Sequence, residues 1–346
     1  MKSKILYIYK TILERLRPKV KQNGIRNPFY SSLFYGIFDN SFKRQHFATL
    51  TGIDAFTKRG DKNIAILIRN LHRIEKGLIM PERKKVFAKE FIEETVKSFR
   101  ELDLILLEEN KNLYYYAKSV LNSFFEVVDR SDNTIQNALA IYNHNVLEKL
   151  PVPLKLPYPR RNVESSNVSY EDYLKLSKQR RSIRFFEQKR VERSLIEKAI
   201  EAALQAPSAC NRQPFRLIIA DDPETKNFLG SLPPGALSYY KNVPVFIAII
   251  GDLSNYFSER DRHLIYIDGS LFAMSLMLAL ETLQLASCPI NWPDIDHQER
   301  KLTEMLNLKS FERCVMFLGI GYPDPNGLIP YSQKKSSVEV IQYFKK

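Results

Sequence analysis

The sequence predicts an α+β protein in three parts. A mostly helical region covers residues 1–150, a connector 151–168, and a domain built on one central sheet flanked by helices 169–346. Three observations carry this reading. Apolar spacing before residue 150 follows a helical period. Pro151, Pro153, Pro157 and Pro159 fall within nine residues, a density that forbids a helix and favours extended chain. Beyond residue 168, helical periods alternate with short, continuous apolar runs that read as buried strands.

The elements follow in order. Ile5, Ile8, Tyr9, Ile12, Leu13 and Leu16 have helical spacing, surrounded by Lys4, Lys10, Arg15, Arg17 and Lys19. Phe29–Phe56 is rich in aromatics and turn residues and is expected to be irregular, packing by its rings. Asn63–Gly77 reads as a helix with Ile64, Leu67, Ile68, Leu71 and Ile74 on its apolar face and Gly77 as its stop. Phe87–Leu107 and Thr134–Leu150 read as two more. After the connector, Tyr170–Lys178 and Val191–Ala206 read as helices and Phe215–Ala220 as a strand. Val243–Gly251 and Arg313–Gly321 are buried strands. Between them, Asp268–Leu285 is a helix apolar on nearly every side. Such a helix must be buried all round, and a second subunit could cover one side of it.

Composition narrows the class. A chain of 346 residues with 44% hydrophobic and 26% charged residues can build a real core, which excludes disorder over most of its length. Cys210, Cys288 and Cys314 are too few and scattered for a disulfide framework or zinc site, so no metal is expected and a reducing, cytoplasmic home fits. No uninterrupted apolar run reaches the roughly 20 residues that span a bilayer. Charges throughout Met1–Gln22 leave no signal-peptide core. Only 12 glycines leave little room for glycine-rich phosphate loops.

The net charge of +13 asks for an acidic partner. Residues 1–150 hold +9 of it, with 26 Lys and Arg against 17 Asp and Glu. The favoured reading of the first helix is a docking face on the protein's own body. An acidic membrane surface or acidic partner stays open, with the protein then peripheral at the membrane. No nucleic-acid partner is expected.

Three separated segments carry the chemistry. In Arg180-Arg181-Ser182-Ile183-Arg184, three guanidinium groups and a hydroxyl offer planar donors suited to phosphate. Alternation in extended chain puts Arg180, Ser182 and Arg184 on one side. Ala206–Pro214 is a stiff polar loop between a helix and a strand, suited to a heteroaromatic edge. Ser287–Pro293 follows the long apolar helix as a turn whose backbone N–H groups could meet a ring nitrogen. Each segment alone has a plainer reading, respectively solvated charges, a self-satisfied loop and core packing for Trp292.

Together, residues 169–346 resemble the FMN-dependent nitroreductases. The family's R-R-S-x-R segment, about 20 residues of helix, and A-P-S-x-x-N-x-Q-P appear as Arg180–Arg184 and Ala206–Pro214. The late L-G-x-G-Y-P segment appears as Leu318–Pro323, followed by the basic pair Lys334-Lys335. The resemblance implies a nitroreductase-like FMN-binding fold in a homodimer with two flavins at the interface. Arg180, Arg181, Ser182 and Arg184 match positions that hold the FMN phosphate and ribityl chain, and Lys334 and Lys335 the C-terminal position that also meets the phosphate. Pro207, Ser208, Ala209 and Asn211 match a loop that reaches the flavin across the dimer. Pro289, Ile290 and Asn291 match the loop over the ring, where N–H groups donate to N5 and O4.

The implied activity is ping-pong hydride transfer from NAD(P)H through flavin N5 to a small-molecule acceptor, with no obligatory catalytic side chain. Asn291-Trp292 replaces the Glu-Gly of many members, so the substrate pocket should differ. Residues 1–150 lie outside the common core. Their run His72–Leu78 resembles one in longer members linked to surface-polysaccharide gene sets, although a structural His72–Glu75 pair is the favoured reading. The alternative function is an adaptor, with or without flavin, that docks to a membrane-associated assembly through its basic half.

Overall fold

The structure is a computed structural model, and it describes residues 2–143 and 155–344. Residues 144–154 hold the end of the expected Thr134–Leu150 helix and the first two prolines of the connector, and these lie outside the described residues.

The N-terminal region is helical. α1 covers Lys2–Gly24, α2 Pro28–Leu33, α3 Lys43–Arg59, α4 Ile64–Leu78, α5 Ile92–Glu109, α6 Lys111–Val127 and α7 Asn133–Asn143. Asn63 caps α4, its side-chain oxygen accepting from the Ala65 N–H at 3.0 Å. The apolar stripe Leu67, Leu71 and Ile74 then faces Ile92, Val96 and Phe99 of α5 and Val120, Leu121 and Phe124 of α6 in one core.

Two expectations change here. Phe29–Phe56 is not irregular. It forms α2, a π-helical turn over Phe34–Phe38, and α3. The expected packing by rings is also corrected: Phe34 is the one buried ring of the segment, and α3 buries the small residues Ala48, Thr49 and Gly52, so no aliphatic period announces the helices. The start signal was nonetheless in the sequence: Asn27 caps Phe29 N–H at 2.9 Å and Pro28 takes the first helical position. The unanticipated α6 likewise opens on a cap, Asn110 accepting from Leu113 N–H at 3.0 Å.

The described part of the connector, 155–168, holds one short 3-10 turn at Arg160–Asn162. Its Lys155 meets α6, where Nζ donates to Asn112 at 2.8 Å.

The C-terminal domain comprises α8 Tyr170–Gln179, α9 Arg193–Ala203, β1 Phe215–Ala220, α10 Pro223–Ser231, β2 Val245–Asp252, α11 Leu264–Thr282, β3 Ala286–Asn291, α12 Asp296–Leu306, β4 Glu312–Gly321 and α13 Ser337–Val340. The sheet is antiparallel throughout, in the order β1-β2-β4-β3. Alternation along β2 divides two cores. Phe246, Ala248 and Ile250 face α10 and α12, while Val245, Ile247 and Ile249 face α9 and α11. By length and composition alone α11 could cross a bilayer. Phe272, Leu276 and Leu280 instead pack it on the sheet. Ile267, Leu271 and Met274 stay exposed, so one chain does not bury this helix all round.

The expected loop at 287–291 is strand β3. Pro289 drew the reading toward a loop, but β3 is an edge strand, where a missing N–H costs no ladder bond.

The two halves are packed together. Ala48 of α3 joins Leu253, Tyr256 and Ile265 in a small core. A Cβ on Gly52 would lie 2.9 Å from Leu253 backbone atoms, so this approach requires glycine. Arg44 adds ion pairs to Asp294, at 2.6 Å, and to Asp296.

Candidate functional site

α8 ends at Gln179, and the chain leaves it extended. Ile183 N–H donates to Ser287 O at 3.1 Å, and Glu187 N–H to Tyr322 O at 2.9 Å. The segment is thereby held between β3 and the end of β4. Ile183 turns toward the core, and Arg180, Ser182 and Arg184 line a cavity of about 180 Å3, which Arg181 lines as well against the expected alternation.

Lys178, Arg181 and Lys334 complete the charged lining of that cavity, which contains no carboxylate. Arg181 donates to the carbonyl oxygens of Pro330 and Tyr331, anchoring the arm that carries Lys334 to the cavity. Lys335 is not among the lining residues. One buried polar atom of the lining has no partner, Arg180 Nε. Cationic and hydroxyl side chains with no carboxylate among them fit a phosphate-bearing ligand such as FMN.

Arg184 donates to Ser182 O at 3.4 Å and lies 5.8 Å from the Tyr239 ring centre. Tyr239 OH meets Cys288 Sγ at 3.5 Å. Burial, then the contact with Cys288, pushes the Tyr239 phenol upward, so it stays protonated. Glu281, at the C-terminal end of α11, accepts from Gln179 at 3.3 Å. Burial raises its carboxyl above the usual range, and Gln179 and Arg180 oppose that shift.

Pro207, Ser208, Ala209 and Asn211 do not line this cavity in the single chain. Their loop is organised by Asp268, a residue the motif reading passed over. Its buried carboxylate accepts from Ser208 Oγ at 2.9 Å and Ala209 N–H at 3.1 Å, and Ser208 Oγ accepts from Gln213 N–H at 2.7 Å. Burial raises Asp268 above the usual carboxylate range against those hydrogen bonds. A lone carboxylate within an otherwise apolar stretch was the available signal. Cys210, Asn211 and Gln213 adopt left-handed backbone, which the loop's hydrogen bonds hold in place.

Of the third segment, Pro289 has no N–H, Ile290 is buried, and Asn291 is exposed at the end of β3. Trp292 takes the core role: it packs edge-on against Phe317 at 5.3 Å and donates to Glu299 at 2.7 Å. Burial raises Cys314 far above the ordinary thiol range, so it is no nucleophile. Glu75 joins His72, at 3.5 Å, to Tyr116 OH, at 2.6 Å, tying α4 to α6. Among the described residues no cluster of three potential metal ligands occurs.

The nitroreductase family model matches residues 177–322. Iodotyrosine deiodinase 1 of Sus scrofa is 23% identical over an alignment of 196 residues that covers 49% of this chain and 68% of the pig protein. An NADH dehydrogenase of Thermus thermophilus is 36% identical over 83 residues, covering 24% of this chain and 40% of that protein. The solved structure of an FMN-dependent nitroreductase from Clostridium difficile is 26% identical. It aligns with 50% of this chain and 99% of its own, at a TM-score of 0.43.

Proposed function

From the nitroreductase-family domain at residues 177–322, we propose that the protein is an FMN-dependent oxidoreductase that draws on NAD(P)H and reduces a small-molecule acceptor. The observation that carries this is the carboxylate-free cavity with its unpartnered Arg180 Nε. Arg180, Ser182, Arg184 and Lys334 would hold the phosphate and ribityl chain. Bound FMN would supply hydride uptake from the nicotinamide and reduction of the acceptor. Arg184 brings a fixed positive charge, which favours a reduced, anionic ring. Tyr239 positions that guanidinium by its ring face.

A second copy of the chain completes the reading. It would cover the exposed stripe Ile267, Leu271 and Met274 and bring its own loop 207–211 toward the cavity. The acceptor is open to a panel of nitroaromatics, nucleotide sugars and iodotyrosine, the last because of the deiodinase likeness.

The test is flavin retention by the full chain. The purified protein should be yellow and be bleached by NADH or NADPH. Arg180→Ala and Ser182→Ala should each raise the FMN Kd by about 10-fold or more, the worth of one charge-assisted hydrogen bond. A colourless chain that takes up no added FMN overturns the proposal and favours the adaptor. Unchanged FMN affinity in both variants removes the phosphate assignment.

A further inference from the structure

The N-terminal layer reaches the loop after α9, and it arrives with positive charge. α4 packs on Ala209–Asn211. Arg69 and Arg73 stand one turn apart on α4, and Arg212 closes the loop.

Aromatic rings, more than carboxylates, hold these groups. Arg69 lies 4.9 Å from the Phe257 ring centre, Arg73 3.6 Å from Phe91, and Arg212 5.0 Å from Tyr256. Arg260 lies 4.8 Å from the same Phe257 ring. Stacking occupies the face of a guanidinium and leaves its in-plane N–H donors for another partner.

Such partners are scarce. Among the described residues Arg69 makes no hydrogen bond or ion pair. Arg73 donates only to Asn70 Oδ1, at 3.4 Å. The side chain of Arg212 is 3% exposed and 3.9 Å from Asp261, its Nη1 donates only to Ala209 O at 3.5 Å, and its Nε is buried with no partner. Asp261 is shared at the same distance with Arg260. The other carboxylates facing the group are committed. Glu94 accepts from Asn70 at 2.8 Å, and Asp268 holds Ser208 and Ala209. Burial, then repulsion from Arg73 and Arg212, lowers Arg69 from its ordinary value. A bound anion would relieve that repulsion.

We propose that Arg69, Arg73 and Arg212 form a recognition site for an oxyanion, a carboxylate or phosphate group carried by the electron acceptor. The inference rests on the FMN reading above, which expects loop 207–211 beside a flavin. The N-terminal layer thereby selects acidic acceptors.

The experiment titrates the FMN-loaded, full-length chain with benzoate, phenyl phosphate and benzamide by calorimetry at low salt. The parent should bind one of the anions at least about 10-fold more tightly than neutral benzamide. Arg69→Met and Arg73→Met keep an apolar stem for the ring and should each bring that ratio toward one, with unchanged circular dichroism. If one variant fails to fold, the other decides. Preference for benzoate identifies a carboxylic acceptor, and preference for phenyl phosphate a phosphate ester. Equal binding of all three by the parent, or a preference surviving in the folded variants, overturns the inference and leaves the flavin reading intact. A chain that takes up no FMN overturns both, and this is seen before any anion is added.

Discussion

Glu299→Gln tests the polar network that ties the domain's core to the N-terminal layer. The Glu299 carboxylate is 5% exposed. It accepts from Trp292 Nε1 at 2.7 Å and pairs with Arg313 at 3.1 Å. Arg313 also reaches Asp294 at 3.3 Å, and Asp294 pairs with Arg44 of α3. Glutamine can still accept from Trp292, so the change removes chiefly the charge. Removing one partner of a buried pair costs about 3–5 kcal/mol, because the other charge stays buried and uncompensated. Here Arg313 keeps Asp294, a half-exposed counter-ion, so the loss should fall at about 2–3 kcal/mol. Urea unfolding followed by Trp292 fluorescence measures it, and a domain of this size should lose roughly 5–10 °C in Tm. Replacing the pair together, as Glu299→Gln with Arg313→Met, should recover part of the loss. A single variant within about 0.5 kcal/mol of the parent would refute the buried-pair reasoning, since only a well-solvated pair costs so little.

Two further outcomes follow from other parts of the molecule. Leu271→Glu places a charge in the exposed stripe of α11, so light scattering should show a lower mass than the parent's. A parent that is already monomeric, or a variant of unchanged mass, removes that face as the subunit contact. Acid stability reports on Glu312. Burial would raise its carboxyl, but hydrogen bonds from Arg216, at 2.7 Å, and from Lys309 N–H, at 2.8 Å, outweigh burial and hold it below the usual range. A depressed folded value stabilises fully above pH 4.5 and is lost as pH falls through the folded pKa. Arg216→Met should therefore flatten the acid limb of the stability profile. An acid limb identical to the parent's would show that the pair contributes nothing.

Much of the fold was legible because local rules agree with it. The period of Leu67, Leu71 and Ile74 gave α4 its face, and the continuous apolar runs gave β2 and β4 their buried places. The misreadings have local causes. Helix α2 buries no residue and α3 buries only Ala48, Thr49 and Gly52, which follow no aliphatic period, and Pro289 suggested a loop where an edge strand accepts it. The cluster of cationic side chains around one cavity was legible too, because four of its lining residues, Arg180, Arg181, Ser182 and Arg184, sit in one extended pentapeptide.

The sequence by itself determined the helical first half, the sheet-forming second half and the cationic segment, since each depends on neighbours a few residues apart. Only the tertiary structure decided where the basic first half sits. It set α3 on Leu253 through Gly52, and it brought Arg69 and Arg73 to Arg212 from more than a hundred positions away. It also revealed Asp268 as the residue that shapes the loop. These are long-range contacts whose energy lies in burial, stacking and charge, and no local period encodes them.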